Sequence, residues 1–246
     1  MKANGKQLLS FFCTLIIMIC RLPAQQNQQG NFYEAIKKYD LSEVLKPGGG
    51  PIGFIDTTHY QRFYIHFSSI TRRKGFPYIY DVKGKTRVMK NICSFEGSIQ
   101  VLGASIDSAG DVPSYMQGSL SCKLEFFEDK TQPSTGMFKG TYDSDFYIDS
   151  LGKIAYNNLM SGADGFDNND FTGTWTSYKT HVSLTCCWGD YRIPHSQLLD
   201  QGVGEFIPSD PYLKYGWQTY RDVVSGDPQS PVVKLSQTEE NREWWK

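Results

Sequence analysis

Four histidines, four cysteines beyond residue 30 and two acidic stretches are the groups from which this chain of 246 residues could build a reactive site. The histidines are His59, His66, His181 and His195. None stands in an H-E-x-x-H pattern, no G-x-S-x-G elbow is present, and no glycine-rich phosphate loop opens a helix. His66 alternates with apolar neighbours and reads as a polar-face or rim residue. A Cys–His nucleophile pair and a pair of carboxylates for glycoside hydrolysis are both chemically open, because 26 acids are available. Neither has a motif behind it, so no catalytic residue is assigned.

The acidic stretches are Asp143, Asp145 and Asp149, and the loop 161–170 with Asp164, Asp167, Asn168, Asn169 and Asp170. Clustered hard oxygens suit calcium, and Asp164, Asp167 and Asp170 are the best candidates. Neither stretch has the EF-hand spacing with its central glycine. Solvated loop carboxylates are therefore the favoured account, with no metal and no cofactor expected. Cys93, Cys122, Cys186 and Cys187 lack zinc-ligand spacing. In an exported chain an even count favours disulfides, with three pairings open. Strand phase turns Cys93, Cys122 and Cys186 inward and Cys187 outward. A bridge from Cys186 to Cys122 or Cys93 is the expectation, and four buried free thiols are the alternative.

The elements that must position these groups announce themselves through a repeated pattern. Phe95-Glu96-Gly97-Ser98-Ile99, Met116-Gln117-Gly118-Ser119-Leu120, Phe138-Lys139-Gly140-Thr141-Tyr142 and Phe171-Thr172-Gly173-Thr174-Trp175 share one form: large apolar, any residue, Gly, Ser or Thr, large apolar. In a strand, residues two apart share a face. Each copy thus puts its two large residues and its glycine on one side. Glycine inside a strand forfeits packing, so four in equivalent places imply a crowded, concave face. The predicted fold is mainly β: an antiparallel up-and-down barrel or strongly curled sheet, with a short N-terminal helix and a helical C-terminal tail.

The chain divides on this reading into a signal peptide (1–24), a lead-in with a short helix (25–58), a β-barrel domain (59–190) and a C-terminal extension with one or two helices (191–246). Lys2 and Lys6, an apolar run from Leu8 to Cys20, and a small residue at Ala24 form the secretory pattern. The run is short for a bilayer span, and Ile19 argues against lipid attachment at Cys20. The lead-in helix over 31–46 is predicted to plug or flank one barrel end. Tyr60–Phe67 is read as the first strand, and Lys83-Gly84-Lys85 as a hairpin turn. Ser209-Asp210-Pro211 opens a helix, and Ser236 with Glu239 reads as a capping box for a last one ending at Trp244-Trp245.

The run from Phe76 to Trp175 resembles small secreted β-barrel, lipocalin-like proteins of Gram-negative bacteria. The residues concerned are Phe76-Pro77-Tyr78-Ile79-Tyr80, Leu124-Glu125-Phe126, Gly136-x-Phe138-x-Gly140 and the FTGTW strand. The likeness covers under half of the chain, and it implies an extracytoplasmic role in binding rather than catalysis.

A net charge of −1 without a basic block excludes nucleic acid as a natural partner. The expected function is an exported non-enzymatic protein that binds a small ligand or a protein, in one version an inhibitor or immunity protein acting on a periplasmic hydrolase or toxin. A secreted hydrolase with carboxylates at the barrel mouth and a cell-envelope component are the alternatives. Tyr64, His66, Trp175 and Trp188 are the expected binding residues at the mouth or its loops. The expected location is extracytoplasmic: periplasmic, outer-membrane-associated or secreted.

Overall fold

A computed structural model describes residues 32–48, 50–108 and 110–246. The secretory pattern and residue 31, the first of the expected lead-in helix, lie outside the described residues.

The strands are β1 (Ile52–Ile55), β2 (Gln61–Arg72), β3 (Ile79–Val88), β4 (Asn91–Ile106), β5 (Met116–Glu128), β6 (Gly136–Ile148), β7 (Ile154–Tyr156), β8 (Asn168–Ser177) and β9 (Ser183–Asp190). All pairings are antiparallel. The ladder runs β5-β4-β3-β2-β1-β9-β8-β6, and β6 then pairs with β5. Eight strands therefore close into an up-and-down barrel, and β7 hangs on the far end of β6. Closure removes the exposed edges that an open sheet would present.

The patterned glycines lie at the closest approaches between strands. Gly140 on β6 and Gly173 on β8 are register partners. A Cβ at Gly140 would stand 2.2 Å from the Thr172 carbonyl and 2.8 Å from the Phe171 ring. At Gly97 and Gly118 it would meet a neighbouring carbonyl at 2.1 Å. Aromatic rings fill the space the missing side chains leave. Phe95 stacks on Phe126 at 4.6 Å, and Phe171 stacks on Trp188 at 3.8 Å. Apolar burial of rings of this size is the largest favourable contribution to the barrel.

One barrel end is sealed by the N-terminal segment. A helical turn, α1 (residues 32–36), and the turns after it bury Ile36, Leu41, Val44 and Leu45. Their backbone would be desolvated there, and barrel side chains satisfy it. Tyr142 donates to the Leu45 carbonyl at 2.9 Å, and Ser144 to that of Val44 at 3.2 Å. Asn169 donates to the Lys46 carbonyl at 3.1 Å, while the Leu41 amide donates to the Tyr80 hydroxyl at 3.0 Å. The segment plugs the barrel as expected, but its helix covers only residues 32–36 of the expected 31–46, and turns and bends follow it.

The C-terminal extension covers the outer wall. A 3-10 segment (Asp210–Tyr215) leads to helices α2 (Gln218–Ser225) and α3 (Pro231–Glu240). Trp217, Phe206, Leu199 and Ile193 form a second core with Ile52, Phe54 and Cys187 on the outer faces of β1 and β9. Arg62 holds Glu240 through two bonds of 2.7 and 2.6 Å, with its guanidinium 4.4 Å from the Tyr64 ring centre. No helix among the described residues is long and apolar enough to cross a membrane.

Three local expectations are corrected. Lys83-Gly84-Lys85 lies within β3, not in a turn; the β3–β4 turn is Met89-Lys90, where Met89 takes a φ of 54°. Gly84 mimics a turn signal but serves the same close packing, since a Cβ there would lie 2.1 Å from the His66 carbonyl. Strand β1 precedes the first strand expected from the sequence; at four residues it is too short to show alternation. Ser236 sits within α3 and donates to Asp222 at 2.8 Å rather than capping a helix.

Gly140→Ala should destabilise the fold by about 1–3 kcal/mol through overpacking against β8. Gly103→Ala, where a Cβ finds nothing nearer than 3.9 Å, should be neutral or mildly stabilising. Urea denaturation midpoints of the two variants check the contrast, and equal effects would break the close-packing account.

Candidate functional site

Strand phase also positions the open end of the barrel. The turns 56–60, 89–90, 129–135 and 178–182 all lie there, opposite the plug. Between them a cavity of about 530 Å³ enters the barrel. Its walls are mostly apolar: Ile55, Phe63, Val88, Phe138, Trp175 and Leu184. Phe63 and Phe138 belong to the barrel core as well, with ring centres 5.4 Å apart, so they form the floor. Asp56, His59, Gln61, Asn91 and Ser134 supply a polar rim, together with Tyr215 from the C-terminal extension. Gln61 donates to the Tyr215 carbonyl at 2.8 Å, which fixes that extension at the rim.

One carboxylate lies inside this wall. Glu128 ends β5 in phase with Cys122, Leu124 and Phe126, and it is 6% exposed. Thr86 donates to its Oε1 at 2.5 Å, and the Gly136 amide and Trp175 Nε1 each donate to Oε2 at 2.9 Å. Burial pushes the Glu128 carboxyl above its usual range, against the opposing pull of these three donors. At the rim, Asp56 is held below its usual range by hydrogen bonds from Thr58 and His59 that outweigh its partial burial. His59 Nδ1 lies 2.8 Å from Asp56 Oδ2.

Of the expected binding residues, the structure places only Trp175 in the cavity. Trp188 is fully buried beneath the floor, packed on Phe171, Phe63 and Phe138. Tyr64 and His66 point from the outer face of β2 and are covered by the tail. Tyr64 meets Trp244 edge-on, and His66 stacks on Trp245 at 4.1 Å. Neither lies at the mouth, for the same reason: a strand pattern gives the face of a side chain, not what lies over it. The sequence predicts a last helix ending at Trp244-Trp245, whereas α3 ends at Glu240 and the pair follows it onto the outer face of β2. Glu128 was missed, although carrying the alternation of β5 one step beyond Phe126 reaches it.

The four cysteines are free thiols and all are buried. The bridge expected from Cys186 to Cys122 or Cys93 does not form. In register, Cys93 faces Thr86, Cys122 faces Val101 and Tyr142, and Cys186 faces Ile55 and Gly173, so no cysteine opposes another across a ladder. Cys93 lines the cavity, but burial and the Glu128 carboxylate push its thiol up to about 11, which removes it as a nucleophile at neutral pH.

The calcium candidates do not converge on one site. Asp164 packs against Gly204, whereas Asp167 and Asp170 sit in an acidic field with Asp143, Asp145 and Asp190. Among the described residues no group of three or more acids, histidines or cysteines has metal-holding geometry. Burial first, and these neighbouring acids second, push Asp170 up to about 8.

A chain beginning at Gln25, unfolded without reductant, should titrate four thiols. In the native state these should react at least about 100-fold more slowly than in the unfolded chain, because the buried thiols stay protonated. Fewer than four titratable thiols would revive the disulfide reading. For Asp170 the sign follows from its raised folded value: the favourable contribution is full below its ordinary 3.8 and is lost as pH rises through about 8. The unfolding free energy from urea denaturation should therefore fall over that window by no more than about 1.4 kcal/mol per pH unit, and Asp170→Asn should flatten the slope.

Comparison with known proteins finds no matching family model, no matching curated protein and no matching solved structure.

Proposed function

We propose that this protein is an exported, non-enzymatic binding protein that takes a small, largely apolar molecule into the mouth of its barrel. The observation that carries this reading is the cavity of about 530 Å³ between the aromatic floor and the polar rim. A volume of this order suits a small organic ligand, and a mostly apolar wall with a few convergent polar groups is the usual build of such sites. The secretory pattern before Gln25 supports export, and the lipocalin-like resemblance points the same way.

The protein-inhibitor version is less favoured. A plug needs a protruding loop to insert into its target, whereas the turns around the mouth are short and Met89-Lys90 is a bare two-residue link. A hydrolytic use of the cavity is the second reading. One pair favours it: Glu128 and Asp56 line the same space, and their carboxyls are pushed in opposite directions. Against it, both oxygens of Glu128 already accept hydrogen bonds from fixed donors, which suits a binding group better than a proton donor.

Titration with N-phenyl-1-naphthylamine, a neutral apolar dye, should raise its fluorescence with a Kd of about 1–10 μM. Leu184→Trp fills the cavity and should weaken binding by at least about tenfold. No dye binding, or binding unchanged by Leu184→Trp, would sink the cavity reading. Turnover of any ester or glycoside that Glu128→Gln abolishes would establish the hydrolase instead.

A further inference from the structure

We propose that the molecule held in the mouth is a cationic amphiphile: an apolar body carrying one protonated amine, whose ammonium docks on Glu128. This rests on the cavity reading above and adds the chemistry of the polar group.

The charge pattern of the lining carries the argument. Asp56 and Glu128 are both acids, and among the described residues no lysine or arginine lines the cavity. The only basic side chain there is His59, and it is already engaged with Asp56 at the rim. Glu128 is 6% exposed, yet its three hydrogen-bond donors, the Thr86 hydroxyl, the Gly136 amide and the Trp175 indole, are all neutral. They occupy three of its acceptor positions without balancing its charge. A buried carboxylate without a cation is costly, and a cationic ligand is the partner that relieves the cost.

Geometry leaves room for that partner. A carboxylate offers about four acceptor sites. Oε2 takes two bonds, from Gly136 and Trp175, while Oε1 takes only the Thr86 hydroxyl. One acceptor position on Oε1 therefore remains. The rings of Trp175, Phe138 and Tyr215 line the same space and attract a cation by their faces. An anionic head group would meet Asp56 and Glu128 with no compensating charge, and a neutral alcohol would donate one hydrogen bond but leave the carboxylate unbalanced.

The test displaces bound N-phenyl-1-naphthylamine with n-nonylamine, n-nonanol and n-nonanoate, which share one chain and differ in the head group. The amine should displace the dye at least about tenfold more tightly than the alcohol, the usual scale of one charge-assisted hydrogen bond, and the carboxylate should be weakest. In Glu128→Gln the ratio of amine to alcohol affinity should fall to about one, whatever the change in dye affinity. An amine no tighter than the alcohol in the wild type overturns the inference, as does an amine preference that survives Glu128→Gln. If that variant does not fold, Asp56→Asn separates the two acids of the lining, and an amine preference lost in Asp56→Asn overturns the inference. Failure of the dye to bind at all would instead sink the underlying cavity reading, so the two failures are separable.

Discussion

The contact between bare glycine backbone and aromatic rings is what allows this barrel to close. Gly140 and Gly173 face each other across β6 and β8, with the Phe171 ring lying over both. A side chain at either position would occupy the space of a neighbouring carbonyl. Interior volume in an eight-stranded barrel is small, and one extra methyl at a crossing of this kind must push a strand outward. Glycine thus gives up intrinsic strand stability here in return for a close approach that lets large rings fill the middle.

Filling is uneven along the barrel axis, and that unevenness creates the site. Phe67, Phe95, Phe126, Tyr142 and Phe146 share one core with Ile36, Leu41, Val44 and Leu45 of the N-terminal segment, and Phe32 stacks on Phe146 at 5.8 Å. Tyr80, Tyr142, Ser144 and Asn169 receive that segment's backbone, so the plug is hydrogen-bonded as well as apolar. Towards the other end the aromatic layer stops at Phe63 and Phe138. Above it the inward positions carry Thr86, Cys93, Glu128 and Trp175, and the interior is left open. The Trp175 indole is shared by the two regimes, since its ring walls the cavity and its Nε1 holds the one buried carboxylate there.

The outer wall shows a complementary use of charge. Arg62 and Arg87 project from β2 and β3, and each is almost wholly buried under the tail. Glu240 and Glu239 meet them, and Tyr64, Trp217 and Trp244 lie against their guanidinium planes. Of the two, the Arg62–Glu240 pair is largely buried on both sides, whereas Glu239 is 40% exposed. By fixing the extension, they also fix Tyr215 at the rim of the mouth. The tail is therefore part of the site's architecture, although its helices lie outside the barrel.

Alternation and the spacing of glycines were enough to establish strands, their inward faces and the curl of the sheet, because side-chain period and the steric demands of glycine are local properties. The same local rules give the phase of every cysteine and the plug. Other features depended on which strands become neighbours. Cys93, Cys122 and Cys186 all point inward, yet register keeps them apart. Tyr64 and His66 point outward, yet residues more than 150 positions later in the chain cover them. Glu128 became a lone buried carboxylate only when β3, β6 and β8 brought Thr86, Gly136 and Trp175 around it. Those encounters join residues distant in sequence, and only closure of the barrel decides them.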